Sequence, residues 1–398
     1  MKITLKKIFL SAALISLSVP LFSFDFGGLL SNTTKFSGKE VSDLTLDQKN
    51  SISLWLKTPV SEDGLSYFVT EGSFSTEYDD SIPASDDKLL LTGDLSLFKL
   101  VIHQELSSGD LTISTGRFYN EDLTGIIYSQ NGDGLKAEFQ GARFNVSAFG
   151  VYTGLLNAKN TTILTDASPA NTSPELSDKP KKLYVLADKY AVAGLVFDLP
   201  NLIAAHGLSL EGLASVSLDS ETADYNRFYG TVLLSGPIVS SVFYDLSSTL
   251  GFSKYDDGDM EKSNLSKIAV TAYPSFKSMS VSLNGVYASG KQGSFEFFKG
   301  FTSNSAVNSL AEPEYSALAK AGLSATIKPV SNVLAALSAD MVFDAAKEIE
   351  YQGFQYSANA NWQIVSDVSA GLSFGQYFDN DDSGNNKTQL KINASIAF

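Results

Sequence analysis

The feature that most restricts this chain is strict alternation of apolar and polar residues, repeated from its middle to its last residue. Leu390, Ile392, Ala394, Ile396 and Phe398 alternate with Gln389, Lys391, Asn393, Ser395 and Ala397. Phe354, Tyr356, Ala358, Ala360 and Trp362 alternate with Gly353, Gln355, Ser357, Asn359 and Asn361, and Leu208, Leu210, Gly212, Ala214 and Val216 behave likewise. Successive side chains of a strand point to opposite faces, so each segment has one apolar and one polar face. Soluble sandwiches share this alternation, and the connections decide between the two architectures. Read backward from Phe398, the links alternate in length. Asp379 to Lys387, Gly290 to Ser316, Ser253 to Asn264, Asn157 to Lys182 and Asn120 to Asp133 are long. Val365 to Asp367, Lys328 to Asn332, Gly236-Pro237, Gln140 to Arg143 and Ser107 to Asp110 are tight and rich in Pro, Gly, Ser and Asn. Short turns at one end and long loops at the other are what an up-and-down transmembrane barrel requires.

The sequence therefore predicts an all-β fold, a transmembrane up-and-down antiparallel β-barrel of about 16–18 strands, wide enough for an aqueous channel. Closure follows from the solvent: in hydrocarbon every backbone N–H and C=O must be paired, and a closed sheet has no edge. The first expected strand, 33–39, has Phe36 as its one large apolar residue, and the segment 88–105 does not alternate cleanly, leaving its register open.

The N-terminus reads as a secretory signal over 1–23: Lys2, Lys6 and Lys7, an apolar run from Ile8 to Phe22, then a small residue at Ser23. The run is short for a spanning helix, although an uncleaved anchor is the other reading. Residues 24–398 would then form the barrel. The chain has no Cys, which removes disulfides and thiolate metal sites. Its net charge of −15 and lack of a basic stripe argue against nucleic acid. With 43% hydrophobic residues and a mean hydropathy near zero it is too polar for a helical membrane bundle.

The last eight residues, Lys391 to Phe398, resemble the C-terminal signal by which the barrel-assembly machinery recognises outer-membrane proteins. Lys391, Ile396 and Phe398 carry the likeness, with Asn393 where Gly is usual. In architecture the chain resembles Gram-negative-type outer-membrane porins. The resemblance implies location in the cell outer membrane, with outer-membrane lipid, the barrel-assembly machinery and small hydrophilic solutes as partners and no cofactor. It leaves the oligomeric state open.

Little in the sequence suggests catalysis. Gly371-Leu372-Ser373-Phe374-Gly375 matches a nucleophile motif, but that motif works at a strand-to-helix elbow and here lies within an alternating strand. His103 and His206, the only possible bases, have no legible Ser partner. Asp379 to Gly384 opens like a calcium loop, yet the twelfth position is Leu390 rather than Glu. Acidic clusters at Glu77, Asp79, Asp80, Asp86, Asp87 and at Asp256, Asp257, Asp259, Glu261 read as solvated loop tips or weak cation sites.

Pore-lining candidates are the charges on inward positions: Lys136, Glu138, Glu211, Lys267, Lys320 and Lys391. Arg117, near a strand's outer end, is expected to meet the loop Asn120 to Asp133, should that loop fold inward. Opposed charges across a pore filter solutes. Tyr67, Tyr152, Tyr273, Tyr287, Trp362, Tyr377 and Phe398 suit interfacial girdles. Phe295, Phe297, Phe298 and Phe301 in the Gly290–Ser316 loop suit a solute or partner contact, or a plug of the mouth. Two functions follow as expectations: a water-filled channel for passive diffusion, or a barrel-anchored surface adhesin or binding protein using its long loops.

Overall fold

The computed structural model describes residues 24–80, 89–161, 163–164, 182–218, 225–256, 258–274, 278–302, 310 and 316–398. The expected signal, 1–23, and the acidic residues Asp86, Asp87 and Asp257 lie outside the described residues. The chain forms β1 (Asp25–Gly38), β2 (Thr45–Pro59), β3 (Tyr67–Asp79), β4 (Leu89–Leu106), β5 (Gly109–Glu121), β6 (Ser129–Gly141), β7 (Asn145–Tyr152), β8 (Tyr190–Ile203) and β9 (His206–Ser217). It continues with β10 (Tyr225–Val239), β11 (Val242–Tyr255), β12 (Glu261–Ala272), β13 (Met279–Ala288), β14 (Leu318–Val330), β15 (Val333–Asp344), β16 (Glu350–Val365), β17 (Val368–Asp379) and β18 (Lys387–Ala397). Each strand pairs with its chain neighbours, and β1 pairs with β18, so one 18-stranded antiparallel sheet closes on itself. The expected all-β up-and-down barrel is thus what the chain forms.

The start of β1, the end of β18 and the tight turns at 107–108, 204–205, 240–241, 331–332 and 366–367 share one end of the cylinder, the turn end. The connections 153–189 and 289–317 lie at the other, the loop end. Alternation sets the two faces. Leu195, Leu283, Leu323 and Leu337 point outward, each more than half exposed on the bare chain, where lipid tails would cover them. Ser and Asn on the intervening positions point inward and link across strands, as Ser369 with Ser395 at 2.6 Å and Ser338 with Ser357 at 2.7 Å. Of the expected girdle residues, Trp362 and Phe398 stand on the outer surface, while Tyr273 packs against Phe243 at the turn end. Tyr377 instead turns inward, buried against Leu318 and Val342, and Tyr67 lies under the Lys57 ammonium at 4.2 Å.

The seam between first and last strands runs from Leu29 opposite Ala397 to Gly38 opposite Thr388. Phe398 extends it: the Gly28 N–H donates to the Phe398 carbonyl at 2.8 Å, and the Phe398 N–H to the Gly28 carbonyl at 3.0 Å. The Phe398 ring lies over Gly28, where an added Cβ would come within 2.4 Å of it. Gly28→Leu is therefore expected to displace the terminal aromatic and lower the yield of closed barrel. The shift of folded to unfolded mobility between unheated and heated samples on gels would check this; equal yields would contradict it.

Several strands start earlier than the sequence reading has them, β2 at Thr45 and β6 at Ser129 among them, and three differ in ways that matter here. β1 starts well before residue 33, because its early outward positions include Gly28 and Asn32, which dilute the apolar signal. β8 begins at Tyr190 rather than 183; residues 182–189 belong to the preceding loop, and the strand runs on through Pro200. In β4 a bulge places Leu97 opposite Glu71 and Leu95 opposite Gly72, so Ser96 is extra and the alternation flips there.

Beyond that bulge the wall parts. β4 and β5 pair from Leu106–Gly109 only as far as Phe98–Arg117, although both continue toward the loop end. The bared edge of β4 is capped by donors from elsewhere. Lys159 Nζ reaches the Leu91 carbonyl at 2.8 Å, Asn157 Nδ2 that of Gly93 at 2.9 Å, Arg117 Nη1 that of Leu95 at 2.9 Å and Asn131 Nδ2 that of Ser96 at 2.9 Å. The Gly93 N–H donates to the Leu183 carbonyl at 3.0 Å. The slit is thereby stopped by the 153–161 and 182–189 parts of one long loop, and burial lowers the pKa of its Lys159 ammonium.

Candidate functional site: the lumen and its inward-folded loops

The lumen has a crowded side and an open side. On the crowded side, three loops fold into the barrel and build an apolar cluster against β5 to β13. It includes Ile127 and Tyr128 from the 122–128 loop, Leu156 and Ile163 from 153–164, Phe298 and Phe301 from 289–302, and the wall residues Phe149, Tyr190, Val192 and Leu265. Phe301 is its hub. Its ring stacks with Tyr128 at 5.7 Å and meets Tyr190 edge-on at 5.2 Å. Its N–H donates to the Ile127 carbonyl at 2.8 Å, and its carbonyl accepts from the Leu164 N–H at 2.9 Å.

Charged wall residues hold these loops. The 122–128 loop is shaped by Asp122, whose carboxylate accepts from the N–H groups of Thr124, Ile127 and Tyr128, each at 2.8 Å. Glu211 on β9 accepts from the Leu123 N–H at 3.0 Å, and Lys267 on β12 donates to the Thr124 carbonyl at 2.8 Å. Arg227 on β10, fully buried, donates to the Gly300 carbonyl at 2.9 Å and sits over Tyr225 at 4.2 Å and Phe301 at 4.7 Å. Ring faces thus stabilise a cation that has no carboxylate within salt-bridge distance among the described residues. Arg117 forms a bidentate pair with Asp133 at 2.8 and 2.7 Å and donates to the Leu155 carbonyl at 2.8 Å. Asp133, the last residue of the expected loop, lies on β6, and Arg117 grips the 153–189 loop as well.

The open side runs through β18, β1, β2 and β3, whose loop-end connections 39–44 and 380–386 are short. Its inner face carries Ser31, Thr33, Asn393, Ser395 and charges in cross-strand pairs: Lys35 with Asp47 at 3.3 Å and Lys49 with Glu77 at 3.4 Å. Lys391 stands directly opposite Lys35. Near the turn end a cavity of about 580 Å³ is lined by Ser31, Thr33, Asn361, Lys391 and Asn393. Lys136 pairs with Glu138 at 2.8 Å and Lys320 with Asp340 at 3.9 Å, both on the inner wall.

The structure thus separates the expected pore-lining residues. Lys136, Glu138, Lys320 and Lys391 face the lumen, whereas Arg117, Glu211 and Lys267 are committed to loop backbone. Arg227 was missed, since Asn226-Arg227-Phe228 in a strand has nothing to set it apart. Ser373, the serine of the nucleophile-like motif, sits mid-strand on β17, hydrogen-bonded to Asn359. His103 lies 3.2 Å from Thr112 and His206 3.1 Å from Tyr244. Asp379 caps its own turn by accepting from the Asp381 and Asp382 N–H groups, and among the described residues no acidic or His cluster could hold a metal.

A closed cylinder, apolar outside and polar within, narrowed by inward loops at the end opposite its tight turns, has the architecture of porin-type β-barrels. Within that class the fold is similar to Pseudomonas aeruginosa OpdK, at 11% sequence identity and a TM-score of 0.59 over 94% of this chain and 98% of that one. OccK5 (OpdH) from the same organism gives the same values, and its OccD1 (OprD) aligns at 11% identity and TM-score 0.56 over 96% and 97%. OpdK has also been solved with vanillate. No protein-family model matches the chain, and no curated protein matches it by sequence.

Proposed function

We propose that this protein is an outer-membrane channel for passive diffusion of small hydrophilic solutes and ions along the open side of its lumen. The observation that carries this reading is the polar strip on β18 and β1–β3. It runs between the two ends with Lys391, Lys35, Asp47, Lys49 and Glu77 exposed to the interior, while the inward loops pack against the opposite wall. Among the described residues the loops fold inward and bury Phe298 and Phe301, which favours the channel over the anchor. Purified protein in planar bilayers is expected to give discrete conductance steps; silence would refute the channel.

The strip also suggests a direction of selectivity. Lys35 and Lys49 are each paired with a carboxylate, whereas Lys391 has none within salt-bridge distance among the described residues and draws anions against the pull of Glu71 and Asp79 on the same inner face. Lys391→Glu is expected to shift the reversal potential in a salt gradient toward cation preference while leaving the barrel folded. An unchanged reversal potential would place the conducting path elsewhere.

A further inference from the structure

Between β4 and β5 the barrel wall is built in two ways. Nine register pairs join the strands from Leu106–Gly109 to Phe98–Arg117. Gly116, at φ +112°, stands at the end of that ladder, where a Cβ would strike the Phe98 carbonyl. Beyond it the β4 edge is met by side chains, those of Lys159, Asn157, Arg117 and Asn131. Among the described residues a single backbone bond joins that edge to the stopper loop, from the Gly93 N–H to the Leu183 carbonyl at 3.0 Å. Side-chain tips replace a row of backbone bonds, so this stretch of wall can part without breaking a ladder.

The slit lies within the apolar belt. Leu91, Gly93 and Leu95 point outward, opposite Thr76, Phe74 and Gly72 of β3, and Phe74 in turn lies opposite Ile52. The stopper continues that surface. A Cβ on Gly93 would stand 3.9 Å from the Leu183 Cβ, which puts Leu183 on the same outer face, and Leu155 and Leu183 are exposed. Its other side is polar. Asp94, the next residue of β4, points inward with Ser73 opposite. It accepts from Asn160 Nδ2 at 2.7 Å and lies 3.8 Å from the Arg117 guanidinium. Apolar and polar faces are thus separated by the thickness of one strand.

We propose that the slit is a lateral port, through which amphiphiles with one polar or charged head and a short apolar tail exchange between the lumen and the hydrocarbon beside β4. Asp94, Asn160 and Arg117 offer the head hydrogen bonds and charge while the tail lies against Leu95 and Leu183. A purely polar solute stays in the water of the lumen, because hydrocarbon offers its groups no partner. A purely apolar one stays in the lipid.

A disulfide tests this, since the chain has no Cys of its own. Gly93→Cys/Leu183→Cys sets two Cβ atoms 3.9 Å apart, close to the mean of about 3.8 Å in disulfides. The variant is placed in liposomes loaded with octanesulfonate or methanesulfonate, which share a permanently charged head and differ in the tail. Efflux above that of protein-free vesicles is compared before and after oxidation, with heat-modifiable mobility confirming the fold in both states. Oxidation is expected to cut octanesulfonate efflux severalfold, reduction to restore it, and methanesulfonate efflux to stay the same. Oxidised Gly93→Cys alone should behave as the unaltered chain. Equal octanesulfonate efflux in both states, an equal loss for both probes, or a pair that does not oxidise would each overturn the port. Absence of methanesulfonate efflux would instead count against the channel reading, so the two failures are told apart.

Discussion

Arg117→Ala is expected to raise single-channel conductance severalfold and to make the open level noisy. The guanidinium is buried and holds Asp133, the Leu95 carbonyl on the bared β4 edge and the Leu155 carbonyl of the stopper loop together. Removing it leaves the partly buried Asp133 carboxylate and the Leu95 carbonyl without this donor, while the Leu155 carbonyl keeps only the Tyr184 hydroxyl, and breaking a buried pair from one side costs up to about 3–5 kcal/mol. The sheet below Phe98 is unaffected, so the loss falls on the loop, which would leave the slit and the lumen more open. Arg117→Lys should rescue only in part, since an ammonium cannot reproduce the bidentate fork. Wild-type conductance and current noise in Arg117→Ala would show that the loop is held by other means.

Phe301→Ala is the second large effect. Truncating a fully buried Phe costs about 3–5 kcal/mol, and this ring is the point where all three inward loops meet. The barrel wall owes it little, because its ladders are formed strand by strand. The expected result is a protein that keeps its heat-modifiable mobility and strand signal, conducts more, and is cut by external protease in the 289–317 connection where the unaltered chain is resistant. Unchanged cleavage and conductance would mean that the cluster is not what narrows the lumen.

The cylinder itself was legible in the sequence because its cause is local. Each strand declares its two faces through residues two apart, and turn chemistry marks the reversals. What was not legible is what depends on contacts between distant segments. The non-alternating 88–105 segment concealed a bulge at Ser96, and no local pattern reports a bulge of this kind. Arg117, Glu211 and Lys267 were read as pore-lining because they are charges on a wall facing water. Their partners, the carbonyls and N–H groups of loops far away in sequence, carry no residue signature. The aromatic run of Phe295, Phe297, Phe298 and Phe301 was visible, but whether it turned out toward a partner or inward was decided by Tyr128 and Tyr190, which it meets only in the folded lumen.

The seam has one more implication. Leu29 is hydrogen-bonded into the same ladder as Ala397, so the two borders of the sheet become neighbours only when the final residues exist. Until then any partly made sheet presents two bare rims able to recruit foreign strands, and joining ends this remote is among the slowest contacts a chain can make. A nascent chain of this kind gains nothing by folding during synthesis. Closure of the ring is therefore a late event in its folding.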